Sequence, residues 1–119
     1  MLPTHQQRYQ EFKQALEQLK AKVAETVLKQ TDWLAEFLLV QQFFQQQIVN
    51  FSPDSLAERE PRVRSYQTEM SKQLRLLGVD LTFLQAARQP DTIHQRQRQI
   101  SERLTTLIKY CDALLADAT

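Results

Sequence analysis

Two histidines, one cysteine and a scatter of carboxylates are the residues of this chain that could carry out chemistry. His5 and His94 are far apart in sequence, and Cys111 is the single cysteine, so no spacing matches a zinc ligand set. The histidines read as exposed residues near helix starts. The acids fall along helix faces without the Glu-x-x-His pairs of di-iron bundles. One glycine, Gly78, is too few for a phosphate-cradling loop. No cofactor is expected, and the chain reads as a non-enzyme.

The basic residues of the second half are more informative. Residues 1–60 carry Arg8, Lys13, Lys20, Lys22, Lys29 and Arg59 against the larger acidic set Glu11, Glu17, Glu25, Asp32, Glu36, Asp54, Glu58 and Glu60. The whole chain is +1, so the second half is basic. On a helix, Arg64, Ser71, Arg75, Gly78 and Thr82 share one face, with Lys72 and Arg88 nearby but pointing differently. Arginine binds carboxylates bidentately and keeps its charge at any physiological pH, so this face is the candidate partner-binding site. Two arginines are few for tight phosphate binding, which argues against nucleic acid. A small helical nucleic-acid-binding regulator using this face is the alternative reading.

The elements that must position these residues follow from apolar spacing. With little glycine, and with the prolines Pro3, Pro53, Pro61 and Pro90 as punctuation, long helices joined by few loops are expected rather than sheets. The first helix is predicted from an N-cap at Thr4 to about Lys29, with Tyr9, Phe12, Leu16, Leu19, Val23 and Val27 on one stripe. The second runs from about Asp32 to Val49 on Trp33, Phe37, Val40, Phe44 and Ile48. No Gly or Pro separates the two, so either a break or only a kink joins them.

"NFSPDS", Asn50 to Ser55, is the clearest loop, followed by a short turn at 55–59. The third helix is predicted from Pro61 to Gln89 on Val63, Tyr66, Met70, Leu74, Leu77, Leu81 and Leu84. The fourth runs from about Asp91 to Ala116 on Ile93, Ile100, Leu104, Leu107, Ile108, Cys111 and Leu115. Cys111 is therefore expected to be a small buried apolar residue. Residues 1–119 form one all-α domain, an antiparallel bundle of about four helices.

Two places carry more apolar residues than one stripe needs. In "VQQFFQQQIVNF", Val40 to Phe51, the projection puts Val40, Gln41, Phe44 and Ile48 inward and Gln42, Gln45 and Gln46 in solvent. Phe43 then points away from the core beside Leu39. On the third helix, Leu76, Val79 and Phe83 form a second stripe. Either the third helix is central and covered on two sides, or its strip is an interface; on the second reading these five are the candidate oligomer interface, most simply of a two-fold dimer. No run approaches the length of a membrane span, and the lone cysteine suits a reducing compartment, so the expected location is cytoplasmic.

The blocks "RVRSYQTEMSKQLRLLGVDLTFLQAARQ", Arg62 to Gln89, and "ISERLTTLIKYCDALLAD", Ile100 to Asp117, with "VQQFFQQQI" before the loop, resemble the cyanobacterial PatD family of heterocyst frequency control proteins. The similarity covers most of residues 37–117; the first helix matches mainly in length and helical character. It implies a small cytoplasmic helical regulator that limits heterocyst frequency and binds FtsZ, the tubulin-like division protein, affecting its assembly. No catalytic or cofactor residue is implied. FtsZ-type proteins are acidic, which suits the face of Arg64 and Arg75. "SPDSLAEREP", Ser52 to Pro61, departs from the family pattern by its length.

Overall fold

The computed structural model describes residues 3–24, 30–50 and 61–116, and the residues so described contain helices and no strand. Helix α1 is Pro3–Ala24, α2 is Gln30–Phe43, α3 is Pro61–Ala86 and α4 is Pro90–Ala116. At Phe44 the second helix widens into a π-helical segment, Phe44–Val49. It closes where the Asn50 amide donates to the Gln45 carbonyl, 3.0 Å away.

Proline opens three of the four helices: Pro3, Pro61 and Pro90 are each the first residue. The first helical position tolerates proline because its missing N–H would have had no intrahelical acceptor. Thr4 is therefore inside α1, not its cap. Pro90 likewise opens α4, where the Ile93 amide donates to the Gln89 carbonyl at 2.9 Å. That leaves α3 shorter than its predicted end at Gln89. Its terminus is the Ala87 amide donating to the Leu84 carbonyl at 3.1 Å, since the residue before a proline is biased away from helical geometry. Val27, the predicted end of the first helix at Lys29, the turn at 55–59 and most of the "NFSPDS" loop lie outside the described residues.

Inter-helix contacts establish the topology. Phe12 of α1 lies against Phe43 and Phe44, while Lys22 pairs with Glu36 and the Arg8 guanidinium donates to Gln47 Oε1. Rising numbers in α1 thus meet falling numbers from α2 onward. The first two helices form an antiparallel hairpin rather than one kinked helix. The same pattern relates α3 to α4 through Tyr66 with Tyr110 and Asp80 with Arg103, and α1 to α4 through Lys13 with Asp112 at 2.6 Å. Helices α1 and α3 each pack on α2 and α4, so the chain makes an up-down-up-down four-helix bundle with no central helix.

The core is the sum of the four stripes. Tyr9, Phe12, Leu16, Leu19 and Val23 of α1 are buried, as are Trp33, Phe37, Val40, Phe44 and Ile48 after it. α3 contributes Val63, Met70, Leu74, Leu77, Leu81 and Leu84, and α4 contributes Ile100, Leu104, Leu107, Cys111 and Leu114. Each large side chain so enclosed stabilises the fold by about 1.5–3 kcal/mol. Leu114, not Leu115, completes the α4 stripe, because the steps 104, 107, 111 and 114 keep to one line and Leu115 falls on its flank, half-buried. Tyr66, Ile93 and Ile108 are also half-buried at the edges of the core, as is Gln41.

Candidate interaction surface

Chemistry-bearing side chains are kept apart. His5 opens α1 and His94 opens α4, and since these helices are antiparallel the histidines sit at opposite ends of the bundle. Among the described residues no group of three or more His, Cys, Asp or Glu is placed to hold a metal ion. Burial lowers the pKa of His5. Cys111 is enclosed as expected, and burial pushes its thiol up to about 12, far from the range of a reactive thiolate. Burial likewise raises Tyr9 to about 12, partly offset by Gln67 Nε2, which donates to its hydroxyl at 2.9 Å.

Burial of one acid was not foreseen. Asp80 is 4% exposed, and its Oδ2 accepts from Arg103 Nε across the α3–α4 seam. Arg103 also donates to Gln73 Oε1 at 3.2 Å. A legible signal existed: Asp80 stands one turn from both Leu77 and Leu84, at the edge of the stripe, where an unpaired carboxylate would be costly. A partner on α4 was therefore required.

Among the described residues four large apolar side chains remain at the surface: Leu38 at 55% exposure, Leu39 at 65%, Val79 at 47% and Phe83 at 52%. The candidate interface is altered accordingly. Phe43 is half-buried and stacks on Phe12, ring centroids 6.3 Å apart and planes 5° apart, because the hairpin brings α1 over that flank. It does not point away from the core. Leu76 is half-buried, on the flank of α3 that turns toward α4. Phe83 stays exposed, but the Arg96 guanidinium of α4 covers its ring at 4.9 Å from the centroid. Leu39 and Val79 remain bare, and Leu38, which the stripe reasoning passed over, joins them.

Arg64, Lys72 and Arg75 are exposed on α3, and Arg88 is exposed in the link that follows it. Arg64 and Arg75 share the flank of α3 that faces α2, three turns or about 16 Å apart. Lys72 projects straight outward. Arg88 lies beyond the last residue of α3 and does not extend the row. Along that row the hydroxyls of Thr68 and Thr82 turn inward to donate to the carbonyls of Arg64 and Gly78 at 3.0 and 2.9 Å. That leaves the arginines, with Ser71, as its projecting polar groups.

Gly78 sets how closely this flank meets α2. A Cβ built there would lie 3.0 Å from two ring atoms of Phe37, so the bare backbone lets the Phe37 ring lie directly against α3. This contact places residue 37 level with residue 78. Leu38, Arg75 and Val79 therefore lie within about one turn of that contact, whereas Leu39 falls on the row of Glu36 and Phe43, which meets α1. The acid Glu36 of α2 pairs with Lys22 of α1, and among the residues of α2 and its π-helical continuation whose exposure is described, the exposed ones carry no charge. Those of α3 carry Arg62, Arg64, Lys72 and Arg75 against the single acid Glu69. Arg62 lies over the Tyr66 ring, 5.5 Å from its centroid, on the α4 side.

No helix among the described residues is long and apolar enough to cross a membrane. A family model described as the CRR41 C-terminal domain matches residues 46–111, more than half of the chain, from the π-helical segment through α3 to Cys111 on α4. No curated protein and no solved structure matches.

Proposed function

The chain belongs to the CRR41 C-terminal domain family, and we propose that it is a non-enzymatic regulator that works by binding another protein. The observation that carries this reading is the outer face of α2 and α3. There Leu38 and Val79 are exposed within about one turn of the Phe37–Gly78 contact, α3 displays Arg64, Lys72 and Arg75 in solvent, and the shared family region includes all of these but Leu38. Exposed apolar side chains grouped with cations of one sign favour a protein contact over a solvated face.

The partner proposed is FtsZ, supported by the resemblance of residues 62–89 and 100–117 to the PatD family. An acidic division protein complements Arg64 and Arg75, and regulation of its assembly would follow from occupying its surface. The protein would act in the cytoplasm. The test is retention of purified FtsZ by the immobilised protein at low and high salt. Retention should fall as salt rises and should be weakened by Arg64→Glu combined with Arg75→Glu, with helicity unchanged. Salt-insensitive retention that the double variant leaves intact would remove the arginine face from the contact, and no retention at all would remove FtsZ.

A further inference from the structure

We infer that the ion pairs Asp80–Arg103 and Lys22–Glu36 fix the sense in which the bundle turns, and with it which helix flanks share each outer groove. This holds whatever partner the protein binds. The inward stripes of the four helices leave the sense open. A bundle turning the other way buries the same stripes and gives each helix the same two neighbours, on exchanged sides. What the exchange alters is the flanks.

Each flank is assigned by a contact. α1 turns Lys22 toward α2 and Lys13 toward α4, while α2 turns Glu36 and Phe43 toward α1 and Phe37 toward α3. α3 turns Gly78 toward α2 and Asp80 toward α4, and α4 turns Arg96 and Arg103 toward α3 and Asp112 toward α1. Phe37 meets Gly78, and Gln97 Nε2 donates to the Val23 carbonyl at 3.1 Å. Lys22, Glu36, Asp80 and the stretch between Arg96 and Arg103 therefore lie within about one turn of a common height. In the opposite sense the flank of Asp80 would face that of Glu36, and the flank of Arg103 would face that of Lys22.

Both encounters are between like charges. Among the described residues Asp80 is the one buried charged side chain, so losing Arg103 and meeting Glu36 would leave a carboxylate out of water beside a second one. Lys22 would stand by Arg96 and Arg103. The exchange would also split Lys13 from Asp112 and bring Asp112 to the flank of Arg64. Asp112 and Arg64 are exposed, where a pair counts for little. In the observed sense each of the two repulsions is replaced by an attraction.

The test reads the distance between spin labels on Gln18→Cys and Leu39→Cys in the full chain with Cys111→Ala, diluted with unlabelled protein, by double electron–electron resonance. Both positions are exposed. Gln18 stands one turn before Lys22 and Leu39 one turn after Glu36, so the labels share the α1–α2 groove. In the opposite sense they point to different sides of the bundle and the distance lengthens. The starting protein should give the short distance alone. Lys22→Glu with Glu36→Lys keeps that pair with its signs exchanged and turns both like-charge encounters into attractions, so a longer distance should appear in at least about a tenth of the molecules. Adding Asp80→Arg with Arg103→Asp restores the repulsions and should abolish it.

Asp80→Leu with Arg103→Leu removes the buried pair without placing a new charge in the core. It should keep its helicity by circular dichroism and also show the longer distance, which decides the matter if the fourfold variant does not fold. The short distance alone in the exchange variant or in the leucine variant would overturn the inference and leave packing, such as Phe12 on Phe43, to fix the turn. A longer distance that persists in a folded fourfold variant would overturn it too, because loosened packing rather than charge would then be the cause.

Discussion

Arg103 donates its Nε–H to Asp80 Oδ2 from the neighbouring helix, placing one ion pair, with Gln73 as a second acceptor, on the α3–α4 seam. Removing Arg103 leaves Asp80 buried without its counter-charge, and removing Asp80 leaves the half-buried Arg103 with Gln73 in its place. Asp80→Ala should cost about 3 kcal/mol, while Asp80→Leu with Arg103→Leu should cost much less, because well-packed apolar residues replace buried pairs at little loss. Urea denaturation of the two single variants and the double variant measures the coupling. Additive losses would show that the pair is not coupled.

Gly78 is mid-helix, where glycine costs about 1 kcal/mol relative to alanine. It nonetheless faces Phe37 at a distance that leaves a Cβ only 3.0 Å from the ring. The propensity gain and the displacement of the ring oppose each other, so Gly78→Ala should change stability by less than about 1 kcal/mol. Gly78→Leu, which must push Phe37 aside, should cost about 1–3 kcal/mol or more. Placed on Phe37→Leu, which frees that space, Gly78→Ala should become stabilising. Thermal unfolding of the four variants tests the reversal of sign.

Alkaline pH should unfold the protein through two buried acids. Burial raises Cys111 from 9.0 to about 12 and Tyr9 from 10.0 to about 12. Both are neutral when protonated, so the unfolded chain releases these protons first. Their contribution is whole below about pH 9 and is lost as pH climbs toward 12, at up to about 1.4 kcal/mol per pH unit for each ionising group. Denaturation curves from pH 7 to 11 should show this fall, and Cys111→Ala should flatten its first part. A thiol reagent should label native Cys111 slowly and the denatured chain fast. Rapid native labelling would mean that the thiol is accessible.

Leu39 and Phe43 occupy successive turns of one helix face and should respond oppositely. Leu39→Ser removes a side chain that is 65% exposed, so stability should shift by no more than about 0.5 kcal/mol. Phe43→Ala removes a ring stacked on Phe12 and should cost about 2 kcal/mol, less than the cost of truncating a fully buried phenylalanine. Matched melting curves distinguish the two. A large loss in Leu39→Ser would place it inside the structure.

Much of the architecture was legible in the chain because a helix's inward stripe is a local property. Tyr9 to Val23, Trp33 to Ile48 and Val63 to Leu84 were identified from spacing alone, and the enclosure of Cys111 followed from its place on the last stripe. Pro61 marks a helix start as its position suggests, whereas Pro3 and Pro90 open helices that spacing alone begins at Thr4 and Asp91. The amino acid types of the surface were equally visible: Arg64, Lys72 and Arg75 are exposed as expected.

Flanks are different, because a residue roughly 100° from its own stripe is covered or bare according to what stands beside its helix. Phe43 and Leu39 look alike in sequence, yet the antiparallel hairpin covers the first with Phe12 and leaves the second in solvent. The pairing of Asp80 with Arg103 joins residues 23 apart, and no period within either helix encodes it. The sequence by itself determined four amphipathic helices and the charges they display. Only the tertiary structure, through contacts such as Phe37 against Gly78 and Phe12 against Phe43, decided which helices adjoin, and so covered Phe43 while leaving Leu38, Leu39 and Val79 in solvent.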